Sequence, residues 1–308
     1  MGQTMGQLLK TFTGHTEQIV SIDTDGSRLL TGARSDGVKL WDVNTGNELR
    51  DFPIGDQDHV NSVAISPDGV LVAAGGQDNK VELWRAQTGE RVGVVATTGV
   101  NETVAVLFAN DGSFVLTTEG RRYNRFTLDL QPLHVHDTQL FAQCFSHSLS
   151  PNNRFVVSLH AGIEVDLVVY DLLNDVRTLQ VPHAEGPAAP RLQGVTFAPD
   201  GATLFAGGKA GVPMLLSATT GGAAGTFTGP GHTKPITSVA VAPNGKLALT
   251  GSDDGTAKVW NMVSGKAVDS LRHEGSSFVS RVAFSPDSTL AFTAGLTDVK
   301  VWDLGGLV

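Results

Sequence analysis

Arg121, Arg122 and Arg125 share one five-residue window, and planar guanidinium forks at that density can clamp a carboxylate or a phosphate through paired hydrogen bonds. A second group, His134, Cys144, His147 and His160, supplies nitrogen and sulfur donors. Its spacing matches no zinc signature, in which ligands recur as close pairs, and neighbouring strands would turn such residues to different faces. No metal site and no cofactor are expected. For nucleophilic chemistry there is no Gly-x-Ser-x-Gly elbow. The glycine-rich run Gly207-Gly208-Lys209-Ala210-Gly211 lies between strand-like segments rather than ahead of a helix, where amides converge on a phosphate. The paired carboxylates Asp253-Asp254 read as a turn. No catalytic set emerges, so a binding protein rather than an enzyme is expected.

Composition narrows the partners. A formal charge of -9 over 308 residues disfavours nonspecific attraction to nucleic acid or to a membrane surface. With Cys144 as its single cysteine the chain has no internal disulfide framework. No apolar run is long enough to cross a bilayer as a helix, and MGQTMGQLLK lacks the charged and apolar regions of a secretory leader. A cytoplasmic protein is expected.

The elements that carry these residues are legible in one stretch, Gly231 to Gly265. Residues alternate with period two through 237–241, 246–250 and 256–260, which predicts three strands. Pro243-Asn244-Gly245 and Asp253-Asp254-Gly255 supply turn chemistry between them, and 266–271 adds a fourth strand after Ser264-Gly265. Degraded copies of this unit run from Gly6 to Asp303. The third strand of each copy ends on Trp41, Trp84, Phe126, Tyr170, Leu216, Trp260 or Trp302, at intervals of 43, 42, 44, 46, 44 and 42 residues. A second comb marks the first turn: Asp25-Gly26, Asp68-Gly69, Asp111-Gly112, Asn152-Asn153, Asp200-Gly201, Asn244-Gly245 and Asp287-Ser288. Both combs count seven copies, and a period in the forties implies sheets stacked on one another.

The chain resembles the WD40-repeat family over nearly its whole length, through Gly14-His15 and Gly231-His232 at copy starts, Trp41-Asp42 and Trp302-Asp303 at copy ends, and Ser66-Pro67-Asp68-Gly69 between strands. The resemblance implies an all-β, seven-bladed β-propeller of four-stranded antiparallel blades around a central channel. It would form one domain over 1–308, with residues 1–5 outside the repeat. The last copy lacks a fourth strand, and Leu8 to Phe12 matches the missing one in register, so the N-terminal strand is expected to complete the last blade. The family also implies a hydrogen-bonded network inside a blade, which only the sixth copy carries in full: His232, Thr250 or Ser252, Asp254 and Trp260. His15, His183 and His273 sit at matching copy starts, with His136 a looser match. The second copy keeps Asp78 and Trp84 but has Asp56 in place of the histidine.

In this family the face bearing the loops that enter each first strand, together with the turns from second to third strand, commonly docks peptides or domains. Mapped onto that face, Arg121, Arg122, Arg125, His160 and Lys209 form a positive crescent over copies three to five, flanked by Phe141 and Arg191. Those copies are also the most individual, with irregular segments at 119–125, 160–164 and 182–190. The expected partner is a protein or peptide, acidic or phosphorylated, bound by a monomer. Two alternatives stay open: a propeller hydrolase or lactonase using the channel mouth near Cys144 and His147, and a sensory or targeting module of a longer signalling protein.

Overall fold

The computed structural model describes residues 6–54, 59–96, 103–119, 122–138, 143–161, 165–181 and 191–307. Within them 28 strands build seven four-stranded antiparallel sheets. Each sheet is one blade, and its strands run in chain order from the innermost, a, to the outermost, d. Blade 7 alone borrows a strand. Gln7–Thr13 lies outside Asp298–Asp303, pairing Leu8 with Trp302 and Phe12 with Val299, which is the closure expected from the sequence.

Burial explains the hydrophobic pattern. Strand b is covered on both faces, as in Leu71–Gly76 and Leu247–Ser252, and reads as a continuous apolar or small-residue run. Strand d, as in Pro132–Asp137, is largely exposed. The a-to-b turns need a residue in the left-handed region, supplied by Gly69 (φ 69°) or Gly245 (φ 71°) and, in blades 4 and 7, by Asn153 (φ 60°) and Ser288 (φ 68°). The second sequence comb is this conformational requirement.

The described residues contain seven hydrophobic clusters, and each fills one joint between neighbouring blades. In the 7/1 joint Phe12 packs on Trp41, with ring centroids 5.9 Å apart, and in the 1/2 joint Phe52 packs on Trp84 at 5.6 Å. Each large side chain buried this way contributes about 1.5 to 3 kcal/mol. No blade has a core of its own, so stability is a property of adjacent pairs.

Around the channel a second tie links blades. Ser21, Ser62, Ser146 and Ser238 occupy the same level of strand a, and each hydroxyl accepts the backbone N–H of the next blade's strand a, at Val63 (3.0 Å), Val106 (3.2 Å), Val195 (3.1 Å) and Val282 (3.2 Å). Blades 3, 5 and 7 carry Ala105, Gly194 and Arg281 at that level, read from their pairing with strand b, and cannot make the bond.

Candidate functional site

The seven inner strands enclose a cavity of about 430 Å³ along the ring axis. Its wall is mostly hydroxyl and amide, and three ionisable side chains interrupt it: Asp23, His147 and Arg281. Asp23 accepts the N–H of Ile65 in blade 2 at 2.8 Å, and burial pushes its carboxyl up to about 6. Burial pushes the His147 imidazole down to about 3, with Arg281 and His160 adding repulsion, so the ring is neutral at physiological pH.

Arg281 opens strand a of blade 7, Arg281–Phe284, and so lies at the loop face of the channel. Its guanidinium donates to the Ser280 carbonyl at 2.7 Å, and among the described residues it forms no salt bridge with a carboxylate. Burial, with the nearby exposed Arg34 adding repulsion, lowers its pKa. A cation therefore stands in the channel wall where four other blades have serine. Sequence reasoning missed it, although aligning the copies at Ser21, Ser62, Ser146 and Ser238 exposes the substitution.

The predicted crescent changes shape. Arg121 and Phe141 lie outside the described residues, as do His183 and Asp56. Arg122 begins strand c of blade 3, Arg122–Phe126, half-buried at the loop face. Arg125 is corrected: it sits farther along the same strand, and its guanidinium stacks 4.3 Å from the Phe114 ring centroid, away from the loop face. His160 is corrected as well. It is 0 % exposed, 2.7 Å from the Ser158 hydroxyl, which in turn lies 2.6 Å from the Tyr123 hydroxyl, so it ties blade 3 to blade 4. Lys209 and Arg191 are both exposed and adjacent, the Lys209 N–H donating to the Arg191 carbonyl at 3.2 Å.

The blade network is more widespread than the sequence suggested. In blade 6 the Nδ1–H of His232 donates to Asp254 at 3.0 Å, and Nε2 accepts the Thr250 hydroxyl at 2.7 Å. That hydroxyl accepts the Trp260 indole N–H at 2.8 Å. Thr250 is thus the hub. Ser252 stands beside the network, donating to the Lys234 carbonyl and accepting the Asp254 N–H. Blade 1 repeats the set with His15, Asp36, Thr31 and Trp41, and blade 7 with His273, Asp298, Thr293 and Trp302. The expectation of a single complete set is corrected to three. His136 belongs to none of them, because it lies on strand d of blade 3.

Cys144 and His147 do not make an activated nucleophile. The thiol is buried, donates weakly to the Ser146 carbonyl at 3.7 Å, and is pushed up to about 12 by burial. A reactive cysteine needs the opposite shift.

Four segments, residues 6–42, 47–85, 224–261 and 265–303, match the family model described as WD domain, G-beta repeat. Each joins the outer strand of one blade to the three inner strands of the next, here blades 1, 2, 6 and 7, and the first begins with the borrowed strand. Part of the chain is 36% identical over 74 residues to the small ribosomal subunit protein RACK1z of Arabidopsis thaliana, covering 24% of this chain and 22% of that protein. Another relative is the kinesin-like protein KIF21B of Homo sapiens, 35% identical over 92 residues, covering 27% of this chain and 5% of that protein. The matched part thus spans less than a quarter of either relative. The matched repeats, the comb of large apolar residues at every blade and the ring closed by its first strand make this chain a member of the WD40-repeat family of β-propellers.

Proposed function

We propose that this propeller is a non-catalytic interaction platform whose loop face binds an acidic or phosphorylated peptide segment, with one anionic side chain entering the channel mouth. The observation that carries the reading is Arg281, a cation in the channel wall with no carboxylate partner among the described residues. A desolvated guanidinium gains most from a partner that brings its own negative charge and paired acceptor oxygens. Arg34, Arg191, Lys209 and Arg122 supply further positive charge around the same face. One relative's name supports the platform role, since it is that of a small ribosomal subunit protein.

The test is fluorescence polarisation against labelled pools of acidic and phosphoserine peptides. Arg281→Ser restores the residue found at this level in four other blades, so the ring is preserved. It is expected to weaken capture by at least about tenfold, and Arg125→Ser, on the far side of blade 3, is expected to leave capture unchanged. Equal binding by Arg281→Ser and the unaltered protein would remove the channel-mouth reading.

A further inference from the structure

Blade 4 breaks a rule that blades 1, 2, 5 and 6 obey. Five residues after the aromatic or leucine landmark of strand c, the turn into strand d holds Gly46, Gly89, Gly221 and Gly265, all left-handed, at φ 82°, 73°, 69° and 65°. In blade 4 the same place is Asp175, at φ 56°. Aspartate tolerates this conformation, and its carboxylate accepts the Tyr170 hydroxyl at 2.7 Å.

The residues opposite it on strand d of blade 3 are equally out of pattern. The position that covers the next blade's landmark is Phe12, Phe52 or Leu271 in other blades, each paired across from the residue three before the landmark of its own blade. In blade 3 that position is His136, paired with Tyr123. It packs against Tyr170 of blade 4, ring centroids 5.8 Å apart. Its Nδ1 lies 2.7 Å from Asp175 Oδ1, while its buried Nε2 has no hydrogen-bond partner. An apolar side chain, as in the other joints, would leave nothing unsatisfied. Two residues earlier, on the same face of the strand, His134 stands with its Nε2 3.6 Å from Asp175 Oδ2 and its ring 4.3 Å from that of His136. The ligand atoms of all three residues lie within 4.8 Å of one another, and they are the one such group among the described residues.

We infer that His134, His136 and Asp175 form a site for a divalent late transition-metal ion, with Zn²⁺ as its natural probe, bridging blades 3 and 4. Two imidazoles and one carboxylate are the donor set such ions favour, and a fourth position is open to water because the side chains of His134 and Asp175 are each 50% exposed. Tetrahedral coordination asks for ligand atoms about 3.4 Å apart, so small side-chain rotations suffice. The Tyr170 hydroxyl and His136 Nδ1 both meet Asp175 Oδ1, at 2.7 Å each, which leaves Oδ2 toward His134. Binding replaces the Nδ1–H to Asp175 bond of His136 and moves that proton to Nε2, with no net release from this ring. Arg125, across the strand from His134, keeps its guanidinium over Phe114. The sequence-based expectation of no metal grouped His134 with Cys144, His147 and His160, and neither His136 nor Asp175 entered it.

Isothermal titration with Zn²⁺ tests the inference on the full chain, with thermal unfolding as a second readout. The unaltered protein is expected to take up one ion per chain and to unfold at a higher temperature with zinc present. Asp175→Gly and His136→Phe, which install the residues other blades use, should keep the ring intact by circular dichroism. Each should weaken zinc binding by at least about tenfold and abolish the thermal response. No saturable zinc uptake by the unaltered protein, or uptake that survives both substitutions, would overturn the assignment.

Discussion

Replacing Thr250 by valine keeps the shape of a fully buried side chain and deletes one hydroxyl. That hydroxyl serves two partners, accepting from the Trp260 indole at 2.8 Å and donating to His232 Nε2 at 2.7 Å. Trp260 is itself fully buried, so neither partner can turn to water. Leaving a buried donor or acceptor unsatisfied costs about 1 to 3 kcal/mol, and two such groups give about 2 to 6 kcal/mol. At about 2.1 cal/mol/K per residue, a chain of this length has an unfolding entropy near 0.65 kcal/mol/K, so the thermal midpoint is expected to fall by about 3 to 9 °C. Thr250→Ser keeps the hydroxyl and loses one methyl, for about 1 kcal/mol. Ser252→Ala removes a hydroxyl beside the network and should cost a similar amount. Thermal and urea unfolding of the three variants, followed by tryptophan fluorescence, provide the comparison. A Thr250→Val midpoint no lower than that of Thr250→Ser would refute the view that this hydroxyl is the hub. Thr31→Val and Thr293→Val, in blades with the same contacts, should behave like Thr250→Val.

Two predictions concern the channel wall. Burial raises Asp23 from 3.8 to about 6, so between those values the folded chain holds a proton that the unfolded chain releases, and stability from this group falls as pH rises through that window. Above it the cost is complete, up to about 3 kcal/mol; Asp23→Asn, which can still accept the Ile65 N–H, should therefore raise the urea midpoint near neutral pH and flatten its pH dependence, and an unchanged midpoint would count against a buried charge here. His147 shifts the other way, from 6.5 to about 3, so its contribution is fully present above the higher value and is lost as pH falls toward the lower one, where the unfolded chain gains a proton first. His147→Gln should shrink the acid-side loss of stability, and an identical acid profile would show that this ring is not what titrates.

What the sequence made legible was whatever a blade needs at a fixed place. The Trp41 to Trp302 comb was readable because each joint buries a large side chain at one level, and the Asp-Gly comb because the turn needs a left-handed residue. The networks of blades 1 and 7 were missed because the acid's distance from the tryptophan varies. Asp254 lies six residues before Trp260, Asp36 five before Trp41 and Asp298 four before Trp302, yet all three meet a histidine in space. Alternation could not separate Thr250 from Ser252, since residues two apart share a face. Register decides it, placing Thr250 opposite Lys258, two residues before Trp260. The arginine run was read as a long turn, but strand c begins at Arg122, and pleating then sends Arg125 toward Phe114. Asp175 was invisible because a lone aspartate in a turn is unremarkable until the glycines of other blades are set beside it.

The borrowed strand of blade 7 also dictates an order of events during synthesis. Gln7–Thr13 leaves the ribosome before every other described strand, yet its partner Asp298–Asp303 emerges only after six other blades have been made. Throughout that interval both ends of the growing arc are bare apolar blade faces and the opening strand is unpaired, open to pairing with another nascent chain. A polysome carrying this message would therefore hold many half-rings side by side, and exchange of the opening segment between neighbours is the misassembly to which such a design is most prone.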